Sequence, residues 1–340
     1  MKTKVTLKQI ASDLNISVST VSKSLNDSLE ITDQTKTRVK EYARFKNYTP
    51  NRNALNLKNG KTKTIGVIIP TIRNSFFAKV FCGIEKVTHK YGYNVIMCIS
   101  DESVEKEEQL LRICGNGTLD GFILCLSEES QKLQTYDHFT SIINDGIPIV
   151  LFDRNAEEII CDKVVGDDFD SGLKATQHLI DIGCKNIALL SSHNLSIEKR
   201  RYEGYSKALK DNNIVVNPNL IIRTDSELDL KAKMECLFDS NVADGIFALD
   251  EIASVFALNM GVQKGYKIPD ELAIVGFADG ILASRILATG LSTISQYGIE
   301  MGETAAKLLI KRLESKEVNL LFETVEIKTR LKQRESTNKN

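Results

Sequence analysis

Short polar side chains and one lysine occupy neighbouring positions close to the N-terminus, in the stretch NISVSTVSKSLN. If this stretch is helical, Val21 and Leu25 fall on one face, and small hydroxyl groups and an ammonium lie on the others. Small groups permit close approach to another molecule, while hydroxyl and ammonium groups donate hydrogen bonds to base edges and phosphate oxygens. The candidate contact residues are Ser17, Val18, Ser19, Thr20, Ser22 and Lys23.

Two short helices joined by a tight turn position this face. Thr6 can cap the first helix, with Gln9 completing a capping-box pattern. Its apolar residues, at helical spacing, are Leu7, Ile10, Ala11 and Leu14. Asn15 tolerates the left-handed backbone of a turn, and Ser17 can cap the second helix. The pattern predicts a helix-turn-helix whose second helix lies in the DNA major groove. An ordinary helical hairpin in an all-α domain is the alternative.

A third helix completes a small N-terminal headpiece at residues 1–48. Thr32 can cap it, and apolar positions continue from residue 33 to residue 46. Three helices in fewer than 50 residues have little area to bury, so the headpiece is expected to be marginally stable alone.

Charge is distributed unevenly although the net charge is only −1. Residues 1–63 contain 13 Lys and Arg against 5 Asp and Glu, whereas the remainder contains 31 against 40. A basic head is attracted to phosphates while an acidic body is repelled by them. Residues 49–63, between the two, can form either a flexible tether or a short helix, and the spacing alone favours neither.

From residue 64 onward, apolar strand-like runs alternate with helix-like segments. The runs include TIGVIIP, NVIMCIS, GFILCL and PIVLFD, and then NIALLSS, LIIRT, GIFALD and LAIVGFA. Predicted helices between them span 76–91, 104–114, 131–144, 171–182, 197–212, 228–240 and 251–265. A further predicted helix at 302–316 and one final strand follow. This alternation predicts an α/β core of two doubly wound parallel-sheet subdomains. Ligands bind at the carboxyl ends of such strands, so two facing sheets predict a small-molecule cleft.

The chain resembles the lac-repressor (LacI/GalR) family of bacterial transcription regulators. The resemblance begins in VTLKQIA, NISVSTVSKSLN and TPNRNALNL and extends through nearly the whole sequence. It implies a periplasmic-binding-protein-like core at residues 64–336. Subdomain one is expected at about 64–165 plus 294–325, and subdomain two at about 166–293 plus 326–336. No leucine-heptad extension follows the final strand, so a homodimer is expected.

The resemblance also assigns the linker a role. PNRNALNL matches the segment that becomes a hinge helix on operator DNA in this family, over the minor groove. Leu57 matches the family's wedge leucine, which enters a central base step and kinks the duplex. The implied minor-groove residues are Asn51, Arg52, Ala54 and Leu57.

Six residues at predicted strand or helix ends are candidates for the effector site, each with a structural alternative. Phe76, Phe77, Arg201 and Asp250 match effector-site positions of the family, and the pair Asp153-Arg154 lies at a further strand end. Phe76 and Phe77 could stack on a ligand ring or belong to the core. Arg201 could donate to hydroxyls or a carboxylate, or be a solvated arginine. Asp250 and the pair Asp153-Arg154 could contact a ligand, and Asp250 could instead cap the following helix. At VGFADG the family's effector aspartate is replaced by Ala278, so Asp279, one residue on, is the seventh candidate.

Several other functional classes find no support in the sequence. The seven cysteines are scattered without a Cys-x-x-Cys motif, which is typical of a reducing cytosol, and the four histidines lack metal-ligand spacing. Phosphate-binding glycine loops, nucleophile elbows and membrane-length apolar runs are missing. We therefore expect no cofactor, metal or membrane partner.

These patterns together predict a cytoplasmic, dimeric, non-enzymatic repressor of carbohydrate-utilisation genes. It would bind near-palindromic operator DNA and respond to a sugar-like effector, whose sign of action the sequence leaves open. The alternative is a cytosolic sugar-binding protein or enzyme on a doubly wound fold, without operator binding.

Overall fold

The computed structural model of the 340-residue chain describes residues 5–48, 61–193, 195–278, 289–315, 317 and 320–338. It divides into two compact units, residues 1–62 and residues 63–340, which we call the headpiece and the core. Within the described ranges, no helix is both long enough and apolar enough to cross a bilayer.

The headpiece contains the three predicted helices. They are α1 (Leu7–Leu14), α2 (Val18–Leu25) and α3 (Asp33–Phe45). The hydroxyls of Thr6, Ser17 and Thr32 each accept a hydrogen bond from the backbone N–H three residues later, which confirms all three predicted caps. Asn15 adopts the predicted left-handed conformation, with φ 54°. The buried core that orients α2 consists of Ile10, Ala11, Leu14, Val21, Val39 and Ala43.

Two six-stranded sheets form the centre of the core. The first comprises β1 (Thr64–Ile69), β2 (Asn94–Ile99), β3 (Gly121–Leu124), β4 (Ile149–Phe152), β5 (Asp162–Gly166) and β11 (Thr324–Ile327). Its order is β11-β5-β4-β3-β1-β2, and every pairing is parallel. Parallel strands covered on both faces explain why β1, β3 and β4 read as continuous apolar runs.

The second sheet repeats the scheme with one antiparallel strand. It comprises β6 (Ile187–Ser191), β7 (Ile221–Arg223), β8 (Gly245–Ala248), β9 (Ala273–Gly276), β10 (Ser292–Ser295) and β12 (Arg330–Lys332). The order is β12-β10-β9-β8-β6-β7, with β12 antiparallel to β10. The expected pair of doubly wound parallel sheets is therefore confirmed.

Helices cover both sheets. Those beside the first sheet are α4 (Ser75–Lys90), α5 (Val104–Gly115), α6 (Glu128–Leu133), α7 (Asp137–Asn144) and α12 (Gly298–Glu314). Those beside the second are α8 (Asp168–Asp181), α9 (Ser196–Asp211), α10 (Glu227–Ser240) and α11 (Glu251–Gln263). We call the first sheet with its helices lobe one, and the second with its helices lobe two.

One helix prediction was wrong. The segment 131–144, predicted as a single helix, forms α6 and α7. Gln134 ends α6 in the left-handed conformation, with φ 51°. Ser127 caps α6, which begins at Glu128, three residues before the predicted start at residue 131. Two short helices therefore replace one continuous amphipathic helix.

The last strand and the lobe boundaries also differ from prediction. One final strand was expected, but β11 joins the first sheet and β12 the second, and Thr329 between them donates its N–H to Asp167 over 2.9 Å. The chain changes lobe after β5, after β10 and after β11, each slightly later than predicted. A change of sheet within one polar run leaves apolar periodicity unaltered, so sequence pattern does not reveal it.

Candidate functional site

The predicted DNA-contact face of α2 is accessible. Ser17, Val18 and Ser19 are exposed, and Thr20, Ser22 and Lys23 are half-buried. Val18 is 41% exposed and is therefore accessible for an apolar contact with a base.

Hydrogen bonds within the headpiece already engage part of this face. The Ser17 hydroxyl accepts from Thr20 N over 3.0 Å and lies 2.8 Å from the Thr20 hydroxyl. Lys23 pairs with Glu30, but both side chains are substantially exposed. Such a surface pair contributes little and is screened by salt, so Lys23 can exchange Glu30 for another acceptor.

The hinge predictions are not addressed by the structure. Asn51, Arg52, Ala54 and Leu57 lie outside the described residues, as does Asp279 in the core. Their assigned roles remain predictions from the resemblance.

A cavity of about 510 Å³ lies in the core, at the carboxyl ends of strands from both sheets. This volume is typical of small-molecule sites. Both lobes contribute to its wall, since Phe76 follows β1 and Arg201 lies on α9. All six predicted effector residues within the described chain line it: Phe76, Phe77, Asp153, Arg154, Arg201 and Asp250.

Phe76 and Phe77 serve both the core and the cavity. They lie in the first turn of α4, where the Asn74 side chain accepts a hydrogen bond from the Phe76 N–H over 2.9 Å. Their ring centroids are 5.4 Å apart at an interplanar angle of 63°, and the Phe77 ring also contacts Phe152 edge-on. Both are buried, yet both contribute apolar surface to the cavity wall.

Arg201 is a buried, oriented cation. Its Nε donates to Asp168 Oδ1 over 2.7 Å and its Nη1 to the Leu249 carbonyl over 2.5 Å. The guanidinium carbon lies 3.7 Å from the ring centroid of Phe277, in cation–π geometry. Among the described residues Nη2 has no hydrogen-bond partner. A buried donor without a partner is costly, so a ligand acceptor at Nη2 would be stabilising.

Arg154 repeats this arrangement in lobe one. Its Nη1 donates to Glu102 Oε2 over 2.6 Å and to the Leu126 carbonyl over 3.2 Å. Its buried Nε finds no acceptor in the part of the chain that the structure describes. Each lobe therefore supplies one guanidinium, neutralised by a carboxylate, with a donor left over.

Asp153 is a buried carboxyl group with no hydrogen bond to any described residue. Its backbone adopts the left-handed conformation, with φ 62°, which only Asn, Asp and Gly adopt readily. Burial, and then repulsion by Asp168, raises the pKa of Asp153 to about 7, although Arg154 and Arg201 oppose the shift. A polar group this deeply buried needs a partner, and the cavity is where one can bind.

Asp250 differs from Asp153 although both follow buried strands. Its carboxylate accepts from Ala253 N over 2.8 Å, Ser192 N over 2.7 Å and Ser192 Oγ over 2.8 Å. Of the two alternatives left open by the sequence, the structure shows the helix cap. A direct effector contact by Asp250 remains a prediction, with most of its lone pairs already engaged.

Several cavity residues were missed by the sequence analysis. They include Glu102, His193, Glu198 and Phe277. Glu198 lies one turn before Arg201 on α9, and burial raises its pKa while Arg201 and Arg154 oppose the shift. Phe277 and Glu102 both follow strands, so a stricter use of the strand-end rule would have included them.

Comparison with known proteins agrees with both units. Residues 6–51 match the sequence profile of bacterial regulatory proteins of the lacI family, and residues 176–337 match a periplasmic binding protein-like domain. The ribose operon repressor of Halalkalibacterium halodurans is 31% identical over 336 residues, covering 98% of this chain and 97% of the relative. The chain belongs to the lacI family.

Solved structures support the same fold for this lacI-family chain. The lac repressor dimer bound to operator and the anti-inducer ONPF superposes with a TM-score of 0.84 at 19% identity, covering 98% of this chain and 99% of that one. A lacI-family regulator from Enterococcus faecium with bound ribose gives a TM-score of 0.68 at 29% identity, covering 80% and 98%. The lacI-family chain is a sequence-specific DNA-binding transcription regulator, as predicted, and its relatives are repressors rather than enzymes.

Proposed function

We propose that this lacI-family regulator is a homodimeric repressor whose operator affinity changes when an uncharged, sugar-like effector binds in the core cavity. The observation that carries the proposal is a set of polar groups in the cavity wall. Among the described residues, Arg201 Nη2 and Arg154 Nε are buried donors without a partner, and the buried Asp153 carboxyl group accepts no hydrogen bond from them. A polyhydroxylated ligand supplies both hydrogen-bond acceptors and donors, and its apolar ring face fits Phe76.

Charge in the cavity argues for an effector without negative charge. Among the described lining residues, seven are acidic, namely Asp101, Glu102, Asp153, Glu198, Glu227, Asp250 and Glu251. The basic lining residues are Arg73, Arg154 and Arg201, beside His193. Because Arg154 and Arg201 already pair with carboxylates, they attract an entering phosphate or carboxylate less strongly than unpaired guanidinium groups would. Neutral sugars need no such net positive charge. The ribose operon repressor and the ribose-bound structure make D-ribose a reasonable first ligand to test.

An exposed apolar sheet edge supports the proposed homodimer. Strand β2 is the terminal strand of the first sheet, and Ile96, Met97 and Ile99 are each about two-fifths exposed there. Ile113 on α5 is 58% exposed. Apolar side chains on an edge strand favour association, and a second copy of the chain related by two-fold symmetry would cover them. Two headpieces related by such an axis would read a near-palindromic operator, in the cytosol of a bacterium.

A mobility-shift assay on duplexes from the protein's own upstream region tests the DNA-binding half of the proposal. Neutralising about 6–10 phosphates lowers affinity by about 10³–10⁵ between 50 and 200 mM salt. We expect a specific shift with this steep salt dependence. Absence of any shift, while the core still binds a sugar, would favour a binding protein without operator recognition.

The same assay with D-ribose and a panel of other neutral sugars tests the effector half. We expect one of them to change the operator affinity of the wild-type protein, and the direction of the change separates an inducer from a corepressor. Arg201→Ala should retain operator binding but lose this response and the ligand-dependent increase in melting temperature. Arg200→Ala is the matched control, because Arg200 is exposed, contacts Glu203 and the Phe169 ring, and does not line the cavity. A full response in Arg201→Ala would place the effector elsewhere.

A further inference from the structure

The short helix α6 belongs to lobe one but also makes polar contacts with lobe two. Glu128 Oε2 lies 3.2 Å from His193 Nδ1, in the loop after β6. One turn later, Lys132 Nζ lies 2.8 Å from Asp225 Oδ2, in the loop after β7. Between them Gln131 Nε2 donates to the Ser196 hydroxyl over 2.9 Å. Three successive contacts from one face of α6 thus reach three separate places in lobe two.

Charge strengthens the contact between Glu128 and His193. Hydrogen bonding to His193, helped by Lys132 and opposed by burial, lowers the pKa of Glu128 to about 2. Burial lowers the pKa of His193, but the hydrogen bond with Glu128 and the charges of Asp250, Glu198 and Glu128 outweigh it and raise the pKa overall. Both shifts favour the charged pair, which is more than half withdrawn from solvent on each side.

One carboxylate connects α6 to the cavity wall. Glu102 Oε2 accepts from Arg154 Nη1 over 2.6 Å and from the backbone N–H of Glu128, the first residue of α6, over 2.7 Å. Glu102 itself adopts the left-handed conformation, with φ 59°, which costs free energy for a residue other than glycine. Arg154 lines the cavity, and its Nε has no partner among the described residues; its Nη1 shares an acceptor with the N-terminus of α6.

We infer that α6 is a clasp that holds the two lobes together over the cavity, through Glu128, Gln131 and Lys132. The clasp lies beside the cavity: its partner His193 lines the cavity, whereas Gln131 and Lys132 do not. Opening the cleft requires all three contacts to break. If the cavity binds the effector, as the proposed function states, the clasp must open for the effector to enter and leave.

Hydrogen–deuterium exchange on the full-length, ligand-free protein tests the inference without DNA or effector, so its failure is distinguishable from failure of the proposed function. The clasp variant combines Asp225→Asn with Ser196→Ala, which removes two cross-lobe contacts. It leaves intact the Lys132–Glu128 pair within α6 and the hydrogen bond from Gln131 to the Asn155 carbonyl within lobe one. The control combines Asp211→Asn with Gln177→Ala, which removes the Lys207 and Asn212 contacts inside lobe two.

In the clasp variant we expect exchange to become about two- to fivefold faster in residues 128–133 and also in residues 193–197 and 224–227, the magnitude expected for losing partly exposed polar contacts. The control should leave these three segments at the wild-type rate. Faster exchange in residues 128–133 alone would mean that the contacts merely stabilise α6. That outcome, or unchanged exchange throughout, would overturn the inference.

Discussion

At the scale of single residues, Asp153 and Asp250 show how tertiary contacts separate two similar side chains. Both follow a buried strand and both line the cavity. Serine and backbone donors surround Asp250, whereas Asp153 meets no donor among the described residues and sits near Asp168. The same residue type therefore caps a helix at one strand end and remains available to a ligand at the other.

The pKa of Asp153 leads to a prediction about stability. The unfolded carboxyl group ionises near pH 4, whereas the folded one ionises at about pH 7. Between these values the folded state retains a proton that the unfolded state has lost, so this group's contribution to stability falls as the pH rises. Asp153→Asn removes the penalty, and it should stabilise the protein more at pH 8 than at pH 5, by on the order of 3 kcal/mol.

Urea denaturation of wild type and Asp153→Asn at the two pH values measures this difference. Asp211→Asn, on the exposed end of α9, serves as the control. Because Asp153 is a proposed ligand acceptor, the stabilised variant should also lose effector binding, as expected where function maintains an unfavourable group. An equal effect of Asp153→Asn at pH 5 and pH 8 would contradict the assignment.

At the scale of elements, strand β2 combines an unpaired edge with exposed apolar side chains. Ile96→Lys combined with Met97→Lys places two charges on this edge, where burial against a second copy would be strongly unfavourable. We expect the double variant to sediment as a monomer at micromolar concentration while the wild type sediments as a dimer. Leu228→Lys is the control, because Leu228 is 83% exposed on α10 in lobe two. A dimer that survives the double substitution must use another surface.

At the scale of the whole molecule, the basic head and the acidic core suit a division of labour between DNA and ligand binding. The resemblance places the hinge in residues 49–63 between them, with Leu57 as the minor-groove wedge. Leu57→Ala should weaken operator binding sharply, by an amount comparable to the few kcal/mol of an intercalated step. Its effector affinity, measured by calorimetry, should equal that of the wild type. If Leu57→Ala bound the operator as tightly as the wild type, Leu57 would not be the minor-groove wedge.

The sequence by itself determined the features that depend on neighbouring residues. The caps of α1, α2 and α3 and the left-handed Asn15 follow from side chains within three positions of one another. Continuous apolar runs identified most of the strands, and the family resemblance together with the rule that ligands bind at strand ends indicated six of the residues that line the cavity. Short-range hydrogen bonds and periodic burial can be predicted from the sequence because the residues involved lie close together in the chain.

Only the tertiary structure decided features that depend on partners far apart in the chain. The division of the last strand between two sheets, the pairing of Arg201 with Asp168, and the contact of Lys132 with Asp225 are of this kind. The tertiary structure also decided that Asp250 accepts hydrogen bonds from several donors, whereas Asp153 accepts none from the described residues. Burial and charge at a given point arise from all the elements that meet there, so residues of one type at similar positions in the sequence acquire different protonation and different roles.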